Sequence, residues 1–131
     1  MNTTALNAVS DRRRQWMAVV NEGAVEGYAD LVTADVVWLP PAGDPITSRQ
    51  AFRAWLEPFF GRYDYRFSVE VIQVRAFDGW CAEIGNFRSA LSAKGGVEPQ
   101  EHTGRYFVLW RLDADGSWRI ERYVDGIGGS A

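Results

Sequence analysis

The chain has 131 residues, 47% hydrophobic and 24% charged, which is the size and apolar content of one globular domain and excludes wholesale disorder. Its 14 basic and 17 acidic side chains leave a net charge of −3, which argues against a surface built for nucleic acid or for an anionic membrane. One cysteine, Cys81, excludes an intramolecular disulfide, and with one histidine, His102, the usual Cys/His zinc sites are excluded too.

No apolar run is long enough to span a membrane, and Met1 to Val9 lacks the charged and apolar regions of a secretory signal. The expectation is a soluble cytoplasmic protein with a single domain over residues 1–131. Six Trp, five Tyr and seven Phe make the chain 14% aromatic, as either a well-filled core or the wall of a ligand cavity.

From Thr4 to Glu22 the spacing predicts a helix, with Leu6, Val9, Trp16 and Val20 on one face and Gly23 as the stop. Arg13 interrupts that face. Arg12-Arg13-Arg14 reads as a solvated run rather than a phosphate patch. A second short helix is predicted over Ala24 to Thr33 and a short strand over Val36 to Leu39, ended by Pro40-Pro41.

After the loop Pro41 to Pro45, Ser48 is an N-cap. Phe52, Trp55, Leu56, Phe59 and Phe60 follow at i, i+3, i+4, i+7 and i+8, the strongest amphipathic signal in the chain, with Gly61 as the end. Beyond Asp64 everything reads as strand. Phe67, Val69 and Val71 alternate and Ile72 and Val74 take the opposite parity, which predicts a bulge near Val71. Asp78-Gly79, Lys94-Gly95-Gly96 and Asp115-Gly116 mark hairpin turns between strands at Trp80 to Leu91, His102 to Leu112 and Trp118 to Asp125. Helices first and an antiparallel meander afterwards is an α+β arrangement, with helices on one face of a curved sheet.

The strand His102 to Leu112 is apolar on both parities, so its second face needs cover. Burial of Phe107 and Leu109 in a homodimer through the sheet is the expectation, with Arg105, Arg111 and Arg119 at the rim beside Glu101 and Glu121. Residues 126–131 match G-x-G-x-x-A as a string. No helix follows to hold a pyrophosphate, so the segment reads as a flexible Gly-rich tail.

Glu83 lies on a strand parity shared with Cys81, Gly85 and Phe87, an otherwise apolar or small face. A desolvated carboxylate there fits a general acid or base; the alternative is a wall residue paired with Arg122 or Arg105. His102, the only imidazole, is a second candidate catalytic residue. Tyr123 and Asp125 oppose Trp118 and Ile120 in parity, and only a bulge would turn them inward.

The segments Asn21-Glu22-Gly23, Leu31, Asp35, Val37, Pro40 to Gly43, Arg49 to Phe52, Ala82 to Gly85, Gly104-Arg105-Tyr106 and Asp115 to Ile120 occur in an order that resembles the nuclear transport factor 2-like superfamily, nearest its SnoaL-like and ketosteroid-isomerase-like bacterial branch. Ala24, Val32 and Ser48 depart from its common residues. The resemblance implies a cone-shaped, cystatin-like fold, an antiparallel sheet wrapped around N-terminal helices with a deep pocket, often dimeric. It also implies a substrate wall of Trp16, Phe87, Tyr106, Val108, Trp110 and Arg122, with Glu83 beside them and Trp38 and Trp55 at the rim.

The Tyr/Asp/Asp set of ketosteroid isomerases falls on Trp16, on Leu39 or Pro40, and on Val108 or Phe107, so that mechanism is not expected. The acidic residue of SnoaL-type cyclases lies late in the last strand, where Asp125 stands nearby at a different spacing. The resemblance thus implies an isomerase, cyclase or dehydratase that needs no cofactor or metal and acts on a small hydrophobic molecule such as a polyketide-, terpenoid- or steroid-like compound. The alternative is a non-catalytic binding or dimerisation module of the same fold.

Overall fold

Helix α1 (Thr3–Glu22) buries Val9, Trp16 and Val20 along one stripe and stops where Gly23 takes a left-handed turn at φ +65°. The structure, a computed structural model, describes residues 3–40, 43–96 and 98–127. Helix α2 (Val25–Asp30) is shorter than the sequence predicts, because Val32 and Thr33 already belong to strand β1 (Val32–Leu39). Their β-branched side chains are fully buried, and the Ile120 N–H bonds back to the Leu31 carbonyl at 2.7 Å. Helix α3 (Arg49–Arg62) starts at Ser48, whose hydroxyl accepts from the Ala51 N–H at 3.0 Å, and buries Phe52, Leu56 and Phe60. It runs past Gly61 directly into strand β2 (Tyr63–Phe77).

Strands β3 (Trp80–Ala93), β4 (Gln100–Leu112) and β5 (Trp118–Ile127) complete one sheet of order β1-β5-β4-β3-β2. β2 to β5 form the antiparallel meander expected, and β1 adds to β5 in parallel. Gly126 and Ile127 continue β5; residues 128–131 of the expected tail lie outside the described residues. Among the described residues, no helix is long and apolar enough to cross a membrane.

Two irregularities decide which side chains reach the helices. The β2–β3 register slips between Val71 and Gln73, so Ile72 is the extra residue and the parity of β2 switches there, as the sequence predicts. The β4–β5 register slips at Leu109/Trp110: Leu109 faces Arg122 while Trp110 faces Ile120. Glu121 is the extra residue. Trp118, Ile120 and, past the bulge, Tyr123 are therefore all buried on the helix side.

Curvature comes from two successive cross-strand pairs, Gly85 with Tyr106 and Phe87 with Gly104. A Cβ on Gly85 would stand 2.6 Å from the Tyr106 ring, and one on Gly104 would stand 2.7 Å from the Phe87 ring and collide with the Gly126 carbonyl. Each ring lies across the opposing glycine, which closes the sheet over the helices. At the free edge of the sheet, the Asn21 side-chain amide accepts from the Phe67 N–H at 2.7 Å and donates to its carbonyl at 2.9 Å.

The outer face carries a row in register across four strands: Leu39, Val124, Phe107 and Ile84. Leu39, Val124 and Ile84 are exposed, and Phe107 and Leu109 are half-buried. Arg119 is not free at the rim of this face. Opposite Arg111 in the β4–β5 register, it is buried within the chain, donating to the Asp30 carbonyl at 2.9 Å and to the Asp115 carboxylate at 2.8 and 3.0 Å. Arg111 pairs with Glu121 at 2.7 Å within the chain rather than across a contact.

Candidate active site

The space between helices and sheet divides into a filled half and an open half. In the filled half, Glu83 on β3 is fully buried and holds four hydrogen bonds. Arg13 donates from Nε to Oε2 at 3.0 Å and from Nη2 to Oε1 at 2.6 Å. The Tyr106 hydroxyl donates to Oε2 at 2.6 Å and the Trp110 indole N–H to Oε1 at 3.1 Å. Burial works against the Arg13 charge, but the Glu83 bonds and charge outweigh it and hold the guanidinium above its ordinary value. Burial, reinforced by the Glu83 charge, pushes the Tyr106 hydroxyl well up, so it remains a donor.

Both alternatives read for Glu83 need amendment on its partner. The cation is Arg13, which reaches down from α1; Arg105 is exposed on the outer face and Arg122 points outward to the Glu121 carboxylate at 2.8 Å. Arg122 therefore faces away from the helices and is outside the lining of the open half, since the Glu121 bulge inverts its parity. Trp16, Tyr106, Val108 and Trp110 pack around Glu83 with 3% exposure or less and line no open space. The Trp16 indole N–H donates to the Tyr28 hydroxyl at 3.1 Å, and its ring meets Phe67, Tyr106, Trp110 and Tyr123 at 5.1 to 6.2 Å.

The open half is a cavity of about 270 Å³ with fifteen lining residues, nine of them Phe, Trp or Tyr. Helix α3 supplies Trp55, Phe59 and Phe60; α2 supplies Tyr28; β1 supplies Trp38. The sheet supplies Tyr65, Phe67, Phe87, Ser89, His102, Tyr123 and Asp125. Four of the candidate site residues read from the sequence thus meet here, Trp38, Trp55, Phe87 and His102, and the Glu121 bulge brings Tyr123 and Asp125 to them. Tyr28, Phe59, Tyr65 and Phe67 join them without having been singled out. For Phe59 the helical spacing of α3 was already the signal.

Among the described residues that line the cavity, Asp125 is the one acidic side chain and there is no Lys or Arg. Its Oδ2 accepts from the Tyr123 hydroxyl at 2.6 Å. Its Oδ1 is buried and is the only such side-chain atom without a hydrogen-bond partner among the described residues. Burial pushes the Asp125 carboxyl above its ordinary value, against the single bond from Tyr123. Tyr123 is held flat against Trp38, ring centroids 4.0 Å apart, and burial keeps its hydroxyl protonated.

His102 stands apart from this carboxylate. Asp125 pairs with Tyr106, four residues along β4 from His102, roughly 13 Å of strand. The two groups line the cavity from neighbouring strands of one sheet and share no hydrogen bond. Among the described residues no group of three or more His, Cys, Asp or Glu is placed to hold a metal ion.

Residues 14–122 match the family model described as SnoaL-like domain. Solved structures share the whole fold. A ketosteroid isomerase-like protein from Erwinia carotovora atroseptica superposes with a TM-score of 0.85 at 16% identity, over 97% of this chain and 98% of that one. A nuclear transport factor 2-like superfamily protein from Salmonella enterica serovar Typhimurium gives 0.84 at 11% identity, over 100% and 96%. A protein from Catenulispora acidiphila in complex with S-DNPA gives 0.78 at 20% identity, over 93% and 92%. No curated protein sequence matches the chain.

Proposed function

The chain belongs to the SnoaL-like domain family, and from that premise we propose that it is a proton-transfer enzyme acting on a small hydrophobic molecule, with Asp125 as the group that moves the proton. One observation carries this reading: Asp125, a residue that lines an aromatic cavity, has a carboxyl whose Oδ1 is buried and unpartnered. A carboxyl held there, with burial opposing its charge, is disposed to carry a proton and release it. Tyr123 holds the other oxygen and fixes the orientation of the acid. His102, farther along the same sheet on β4, is placed to meet another part of a bound molecule.

Glu83 takes a different part in this reading. Both its oxygens are occupied by Arg13, Tyr106 and Trp110, so it braces the wall behind the cavity rather than meeting substrate. An isomerisation, cyclisation or dehydration each needs one proton moved between two positions, which a single carboxyl can do. At about 270 Å³ the cavity lies at the small end for ligand sites, which favours one or two rings over a steroid-sized skeleton. The complex of the Catenulispora acidiphila protein with S-DNPA supports a ligand-binding reading of the fold.

The exposed apolar row on the sheet favours a homodimer through that face, as the sequence suggested for Phe107 and Leu109.

The test is solvent-proton incorporation. Compact cyclic ketones, allylic alcohols, epoxides and alkenes are incubated in D2O with the protein, and deuterium uptake is read by mass spectrometry. Binding is followed separately through tryptophan emission. Wild type is expected to label at least one class above buffer, and Asp125→Asn to bind that compound without labelling it. Compounds that bind with no labelling above buffer would make the protein a binding module instead.

A further inference from the structure

The cavity is built for positive charge. Its walls include the rings of Trp38, Trp55, Phe59, Tyr65 and Tyr123, and among the described lining residues there is one carboxyl and neither Lys nor Arg. Aromatic faces carry negative potential and attract a cation within about 6 Å of the ring centroid. A developing oxyanion is held best by charged donors aimed at it, and among the described lining residues there is neither Lys nor Arg. The Tyr123 hydroxyl is spent on Oδ2 and His102 lies roughly 13 Å along the strand, so the donors nearest Asp125 are neutral hydroxyls such as those of Tyr28 and Tyr65. An enolate formed beside Asp125 would thus meet no fixed positive charge, whereas a cation would meet aromatic rings and a carboxylate.

Building on the proton-transfer reading above, we propose that Asp125 gives a proton to the substrate, and that the reaction runs through a carbocation held by the aromatic wall. The substrate class is a neutral tertiary or allylic alcohol of one or two rings. The neutral Asp125 carboxyl, with its proton on Oδ1, protonates the hydroxyl oxygen. The carbon–oxygen bond breaks, water departs with the electron pair, and the carboxylate faces the cation. A proton from the neighbouring carbon returns to that carboxylate as the carbon–carbon double bond forms. The products are an alkene and water, with Asp125 neutral again, and no further reactant is consumed.

Phenyltrimethylammonium and tert-butylbenzene have the same shape and differ by one positive charge on the central atom, so the pair isolates what the wall does to a cation. Their affinities for the full chain are measured by calorimetry and by tryptophan emission, with benzoate as the anionic control. The cation is expected to bind at least tenfold more tightly than the hydrocarbon, with benzoate undetectable. Trp55→Leu, at an exposed helix position, is expected to reduce the preference at least threefold. Equal or tighter binding of the hydrocarbon overturns the carbocation assignment. Labelling of ketones alone in D2O does the same, while leaving Asp125 as a proton-transfer group. If no probe binds and no compound is labelled, both readings fall together.

Discussion

Arg13, on the buried stripe of α1, and Glu83, 70 residues later on β3, meet in a two-point ion pair that fastens the helix to the sheet. Glu83 is fully buried and the Arg13 side chain is 12% exposed, so removing either leaves the other charge without an equivalent partner. Arg13→Met and Glu83→Met are each expected to lower unfolding stability by about 3–5 kcal/mol. The double variant should recover a large part of the loss. Urea titrations of the four proteins measure this, and single losses under about 1 kcal/mol would show that the pair does not hold the helix.

Asp125 makes stability depend on pH in a definite direction. Burial raises its folded value above the ordinary 3.8, so between those two values the folded chain holds more protons than the unfolded one. Its contribution is therefore fully present below pH 3.8 and is lost as pH rises through the folded value. Asp125→Asn should melt higher than wild type at pH 7, and the gap should close near pH 4. Thermal unfolding across that range checks it. A gap that is absent at pH 7, or that widens toward acid, would contradict the buried, under-bonded carboxyl.

Gly104 should not tolerate even a methyl group. A Cβ there meets the Phe87 ring and the Gly126 carbonyl, and the carbonyl is backbone in the β4–β5 pairing, so neither neighbour can simply swing away. Gly104→Ala is expected to cost about 1–3 kcal/mol and to weaken probe binding, since Phe87 is a wall of the cavity. Gly61→Ala, where nothing lies within 4 Å, is the control and should be neutral or slightly stabilising.

These sites were unequally legible in the sequence. Arg13 and Glu83 each stood out as a charge on an apolar face, but their pairing depends on where α1 lies over the sheet, which no spacing encodes. The Ile72 bulge showed as a parity conflict because apolar residues sit on both sides of it. The Glu121 bulge showed only as a conditional for Tyr123 and Asp125, since Glu121, Arg122 and Arg119 are all charged and mark no face. That one residue brings Asp125 to the cavity and sends Arg122 away from it. Tyr28 was hidden by the shortness of α2, which leaves too few residues for a helical period.

Sedimentation at micromolar concentration tests the outer face. Wild type is expected to run as a dimer, and Leu109→Arg or Phe107→Asp as a monomer of 14.7 kDa with its melting curve otherwise preserved. A wild-type monomer would mean that the row from Leu39 to Ile84 stands in water, or meets something other than its own copy.

The amide of Asn21 bears on how this chain is able to associate at all. β2 is a margin of 15 residues whose outward N–H and carbonyl groups could template a foreign strand, the route to polymers and fibrils. Asn21 occupies both groups of Phe67 from the side, and five residues on the Ile72 bulge breaks the repeat. An incoming strand would find neither a continuous ladder nor a constant pitch. Lateral growth is thereby discouraged. Asn21→Ala would free that stretch of margin, and aggregation should then quicken even where the melting temperature scarcely moves.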